Sequence, residues 1–127
     1  MASDIQSYRD LKVWQKGMDL AEGCYVGSNT FPADERFGLS SQVRRAAASV
    51  PANIAEGYGR ESRGEFIQFL RIAQGSLKEL ETHLLLVQRI YPTHTEAMTA
   101  LLLKTEELGK MLRALIRSLQ SKPKPQR

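Results

Sequence analysis

One cysteine among 127 residues leaves no partner for an intramolecular disulfide, so Cys24 reads as a small apolar filler on a helix, with a reactive thiol as the weaker alternative. The chain shows no secretory leader and no apolar run long enough to span a bilayer, and with the lone thiol this points to a reducing cytoplasm. Histidine is equally scarce. His83 and His94 stand apart in sequence with no Cys, Asp or Glu at ligand spacing, which argues against a metal site. There is no glycine-rich phosphate loop, no nucleophile elbow and no Glu-x-x-His pair of the di-iron bundle kind. No cofactor, small-molecule substrate or membrane partner is implied, Glu79 and Glu81 read as solvated, and a catalytic site would have to be assembled between subunits.

Charge of one sign is also less abundant than it first looks. The formal net charge is +4 and the pI about 9.4, but three of those charges sit at Lys122, Lys124 and Arg127. A case for a polyanion partner therefore rests on where cations cluster, not on the total.

What the chain has in quantity is helical apolar periodicity. Phe66, Leu70, Ala73, Leu77, Leu80, Leu84 and Val87 alternate steps of four and three, and Met98, Leu101, Thr105, Leu108, Leu112, Leu115 and Leu119 repeat the pattern. The first stripe predicts a helix to about Ile90, roughly 42 Å long at 1.5 Å per residue. Ser62-Arg63-Gly64-Glu65 matches a capping box at its start, and Thr93-His94-Thr95-Glu96 offers another before the second stripe, which fades at Gln120. Upstream, a helix beginning near Arg9 or Asp10, with Ser7 as cap, presents Leu11, Trp14, Met18, Ala21 and Tyr25 and ends at Gly27-Ser28-Asn29. The next helix presents Leu39, Val43, Ala46, Val50 and Ile54, and its phase runs straight through Pro51. One helix kinked at Pro51 is favoured over two short ones.

These elements predict an all-α fold, an antiparallel up-and-down four-helix bundle over residues 9–120, with an N-terminal arm at 1–8 and a disordered basic tail at 121–127. At this length one domain buries roughly two thirds of the surface of its unfolded chain.

Several residues exceed what a bundle core needs. Gln42, Arg45, Ser49, Asn53 and Glu56 form a polar stripe on the second helix, read either as a subunit interface or as a solvated flank. Apolar residues outside the seams, Ile67, Ile72, Leu85, Leu86 and Ile90 on the third helix and Leu102, Leu103, Met111 and Ile116 on the fourth, predict a face covered by another subunit. Gly75-Ser76 marks a candidate tight crossing, since glycine inside a helix costs about 1 kcal/mol relative to alanine. The candidate nucleic-acid-binding cations are Arg44 with Arg45, Arg60 with Arg63, and Lys110, Arg113 and Arg117. The last group reads alternatively as complementation of a helix dipole.

Leu11-Lys12-Val13-Trp14-Gln15-Lys16, Phe31-Pro32 with Glu35 and Gly38-Leu39, Ser49-Val50-Pro51-Ala52-Asn53-Ile54-Ala55-Glu56-Gly57, and Gly75-Ser76 with Glu79-Leu80 together resemble the four-helix bundle proteins associated with bacterial 23S ribosomal RNA intervening sequences. The resemblance spans about residues 8–119. It implies a homo-oligomeric ring, a pentamer, without known enzymatic activity. Similar bundles are accessory proteins of diversity-generating retroelements, which bind a reverse transcriptase and nucleic acid through basic surfaces. The expected function is a non-enzymatic adaptor for RNA, DNA or a nucleic-acid-processing protein. The alternative is a purely structural, self-assembling or protein-partner module.

Overall fold

The computed structural model describes residues 5–123. Four helices carry the fold: α1 over Lys12–Ser28, α2 over Leu39–Tyr58, α3 over Arg63–Ile90 and α4 over Thr95–Ser121, with single 3-10 turns at Tyr8–Asp10, Ala33–Glu35 and Pro92–His94. No strand occurs among the described residues. Residues 1–4 of the expected arm and 124–127 of the expected tail lie outside the described residues. Each helix packs against its neighbour in the chain and α4 closes on α1, the arrangement of a four-helix bundle.

The seams of α2 and α3 bury the residues that their periodicity selects, except Phe66, which is half-buried at the α3 start. Val43, Val50, Ile54, Leu70, Leu80, Leu84 and Val87 are all fully enclosed. Each such aliphatic side chain contributes about 1.5–3 kcal/mol when taken from water. On α4 the stripe holds at Met98, Leu101, Thr105, Leu108 and Leu112, then turns to Ile116, while Leu115 and Leu119 are only half-buried. Ile116 is thus a core residue and not part of an outer surplus. The reason is drift: a straight helix has 3.6 residues per turn, and after several strict heptad-like steps the residue one place on points inward.

α1 departs further from expectation. Its core face is Val13, Gly17, Leu20, Ala21, Cys24 and Ser28, whereas Met18 and Tyr25 are nearly half exposed, at 45% and 47%. Ser7 caps the 3-10 turn Tyr8–Asp10 through a capping box with Asp10, and α1 itself begins only at Lys12. Of the expected stripe Leu11 and Ala21 are buried and Trp14 packs half-buried against the core, but Met18 and Tyr25 lie outside. A Cβ on Gly17 would make only ordinary contact with the Pro51 ring, at 3.4 Å, and one on Gly23 would stand 3.1 Å from the flexible end of Leu101. α1 faces α2 at Gly17 and α4 at Gly23.

α2 is continuous through Pro51, so the two-helix alternative falls. The Ser62 hydroxyl accepts from the Glu65 amide at 3.0 Å and starts α3 as the sequence suggests. At α4 the expected capping box does not form. Thr93 lies inside the 3-10 turn Pro92–His94, His94 occupies the cap position, and no side chain caps the helix. The Thr95 hydroxyl instead donates to the Pro92 carbonyl at 2.7 Å.

Nor is Gly75-Ser76 a crossing point within the subunit. Gly75 is exposed, and a Cβ placed there meets nothing within 4 Å. The close approach is at Gly57, where a Cβ would stand 2.5 Å from Phe69 Cβ. Asn29, Thr30 and Phe31 lead to the α2 start, and His94 Nε2 lies 3.0 Å from the Thr30 carbonyl, tying that loop to the α3–α4 turn.

Candidate functional site

Polar side chains of α3 and α4 line the outer groove between them. Lys110, Arg113 and Arg117 of α4 are all exposed, and Arg113 and Arg117 lie one helical turn apart, a rise of about 6 Å. Arg71 and Gln74 of α3 join them across the groove. Arg71, Gln74, Arg113, Ile116, Arg117 and Gln120 line a hollow of about 250 Å³. Arg71 belongs to the same cluster, and the periodicity of α3 shows only that it lies off the core face. None of Arg71, Lys110, Arg113 and Arg117 forms an ion pair among the described residues. Four cations that no carboxylate of the described residues approaches within ion-pairing distance form a local positive field that the net charge of the chain conceals.

A second, larger notch of about 430 Å³ continues the groove toward the α4 start and shares Gln74 and Arg113 with the hollow. Gly75 and Gly109 open its two sides, Leu77 and Thr105 are buried beneath it, and Lys78, Glu81, Glu106 and Lys110 complete it. Lys78 pairs with Glu81 at 3.3 Å. No aromatic ring lines either cavity. The groove therefore offers charge and hydrogen bonds but no stacking platform.

The other candidate cations have different surroundings, and none lines these cavities. Arg44 Nε donates to Ser28 Oγ at 2.7 Å, its terminal nitrogen donates to Asn29 Oδ1 at 2.6 Å, and its guanidinium lies over the Tyr25 ring. It ties the end of α1 to α2. Arg45 donates to Gln42 of its own helix. Arg60 pairs with Glu56 at 3.2 Å and covers Phe69. Arg63 is the first residue of α3.

The polar stripe of α2 is satisfied locally. Ser49 Oγ donates to the Ala46 carbonyl at 2.9 Å and Asn53 Nδ2 to the Ser49 carbonyl at 2.8 Å. Beside this stripe an apolar groove of about 540 Å³ opens between α2 and α1, with Trp14, Met18 and Tyr25 on one wall and Ala48, Pro51, Ala52 and Ala55 on the other. Tyr8 packs edge-on against Trp14 at its end, 5.2 Å between centroids. Ile72, Leu85, Leu86, Ile90 and Leu103 are also exposed.

The groups with displaced titration, Cys24, Glu35 and Tyr91, line none of these cavities. Burial pushes the Cys24 thiol up to about 12, only partly offset by Lys104, which makes it a core residue without nucleophilic character. The Tyr91 hydroxyl and then the Leu39 amide hold the Glu35 carboxyl below its ordinary range.

A 23S rRNA-intervening sequence protein model matches residues 9–114. The chain belongs to this family. A crystal structure of a Bacteroides thetaiotaomicron protein of unknown function, from the S23 ribosomal protein family, superposes with a TM-score of 0.74 at 27% identity, covering 83% of this chain and 98% of that one. No curated protein matches. The family match covers the α3–α4 groove up to Arg113 and ends before Arg117.

Proposed function

We propose that this member of the 23S rRNA-intervening sequence protein family is a non-enzymatic cytoplasmic adaptor. It binds RNA, DNA or a nucleic-acid-processing protein through the cations of the α3–α4 groove. The carrying observation is the cluster Arg71, Lys110, Arg113 and Arg117, drawn from two helices and without carboxylate partners among the described residues. Uncompensated cations fixed on a rigid helical surface match a phosphate backbone, whose binding releases condensed counterions. The bundle is read as antiparallel and up-and-down because the α2–α3 and α3–α4 connections are only a few residues long, and as bent at Pro51 because proline gives up a backbone hydrogen bond inside α2. Assembly as a homo-oligomer, a pentamer by family, has its support in the Trp14, Met18 and Tyr25 groove and in the exposed leucines. A ring would repeat the cation cluster around one axis.

Filter binding of structured RNA over a salt series tests the reading. Affinity falls steeply with salt, and Arg113→Ala/Arg117→Ala lowers the log–log slope by about 2, near 0.9 for each phosphate no longer neutralised. Arg44→Ala, whose guanidinium is engaged inside the fold, lowers stability and leaves the slope unchanged. A wild-type protein that binds no nucleic acid at low salt would sink the proposal and leave the self-assembling module supported by the α1–α2 groove.

A further inference from the structure

Gly75 carries a cost that the subunit does not explain. It sits well inside α3, where glycine is a poor helix former, and a Cβ there would meet nothing within 4 Å. Gly109, inside α4, is similar, since its Cβ would make only ordinary contacts, at 3.6 Å to Leu77 and 3.7 Å to Arg113. Packing within the chain requires neither. Yet both line the same notch, which reaches about 430 Å³, within the range of small-ligand sites. Glycines that the fold does not need, on facing sides of one cavity, indicate close approach by something from outside.

The lining specifies what that is. Arg113 lies at the edge shared with the basic hollow and Lys110 lines the notch one turn away; neither has an ion-pair partner among the described residues, so this end suits a phosphate, whereas Glu81, paired with Lys78, and Glu106 line the part of the notch that a phosphate avoids. Gln74 and Glu106 offer a donor and acceptors of the kind that read base edges. Leu77 lies beneath them, and no ring is present for stacking. We infer that the Gly75–Gly109 notch receives a single unstacked nucleotide of the bound nucleic acid, with its phosphate on Lys110 and Arg113 and its base against the notch wall. This rests on the nucleic-acid reading above and narrows it. The preferred ligand is a nucleic acid with a bulged or unpaired residue, and an unbroken duplex would meet only the hollow.

The test uses the full chain and titrates adenosine, guanosine, cytidine and uridine 5′-monophosphates and inorganic phosphate by calorimetry. The wild type binds at least one nucleoside monophosphate tenfold or more tighter than phosphate. Gly75→Leu abolishes that preference by filling the notch. Since the position is open and leucine is a good helix former, the variant keeps its fold, and Gly75→Ala raises the melting temperature. A gain in stability with a loss of nucleotide binding is not the mark of a structural glycine. Nucleotides that bind no better than phosphate, or a Gly75→Leu protein that retains the preference, would overturn the inference. Salt-dependent RNA binding that survives Gly75→Leu and is lost in Arg113→Ala/Arg117→Ala would leave the adaptor function standing while the notch falls.

Discussion

Tyr91, at the cap of α3, donates its hydroxyl hydrogen bond to Glu35 Oε2, fifty-six positions earlier in the chain. The other carboxylate oxygen, Oε1, accepts from the Leu39 amide at 3.0 Å and so caps α2. One side chain starts a helix and joins it to the end of another. His94 packs edge-on near both Phe31 and Tyr91, so this end of the bundle is closed by aromatic edges and a carboxylate.

The Tyr91–Glu35 bond makes stability depend on pH at two extremes. The Glu35 carboxyl is held low, chiefly by the Tyr91 hydroxyl, so its contribution is present above the unfolded carboxylate value, about 4.3, and is lost as pH falls through the lower folded value. The Tyr91 hydroxyl is held high, chiefly by the same bond, so its contribution is present below the unfolded phenol value, about 10, and is lost as pH rises through the higher folded value. Thermal melts of the wild type should therefore drop in the acid and alkaline windows. In Tyr91→Phe both drops shrink, and an unchanged profile would contradict the coupling.

Gly57 answers to packing where Gly75 does not. A Cβ at Gly57 would stand 2.5 Å from Phe69 Cβ and 3.2 Å from Phe66, and a Cβ cannot rotate away as a flexible side-chain end can. Gly57→Ala should cost about 1–3 kcal/mol by forcing α2 from α3, read as a lower urea midpoint with little change in slope.

Met18 tests assembly without touching the core. It is 45% exposed and lines the α1–α2 groove, so Met18→Glu leaves the subunit's helical circular dichroism intact while placing a charge where a second copy would bury apolar surface. Light scattering should show the wild-type mass falling to that of smaller species in the variant. An unchanged mass would remove this groove from the interface.

Much of this was legible in the residues themselves. Leu70, Leu77, Leu84 and Val43, Val50 announce their seams because burial along one helical face imposes a period that any linear reading detects. Ser62 announces a helix start because a cap is a local bond. α1 misled because it has two apolar faces, Trp14-Met18-Tyr25 and Val13-Leu20-Cys24, and periodicity alone does not say which is inside. The α4 start misled because Thr93-His94-Thr95-Glu96 has capping chemistry, yet the 3-10 turn after Pro92 satisfies the backbone first. Lys110, Arg113 and Arg117 were visible as one face of a helix, whereas Arg71 needed the neighbouring helix beside it.

Sequence alone determined that this chain is four helices, where most of them begin and end, and most of the buried positions of α2, α3 and α4, because those properties depend on residues within a few turns of each other. Only the tertiary structure decided which face of α1 meets Pro51, that Arg44 is held by Ser28 and Asn29 inside the fold, that Arg71 joins the α4 cations, and that Gly75 opens a notch instead of a crossing. Each of those is a relation between residues apart in the chain, set by how the helices pack against one another and not by any local pattern.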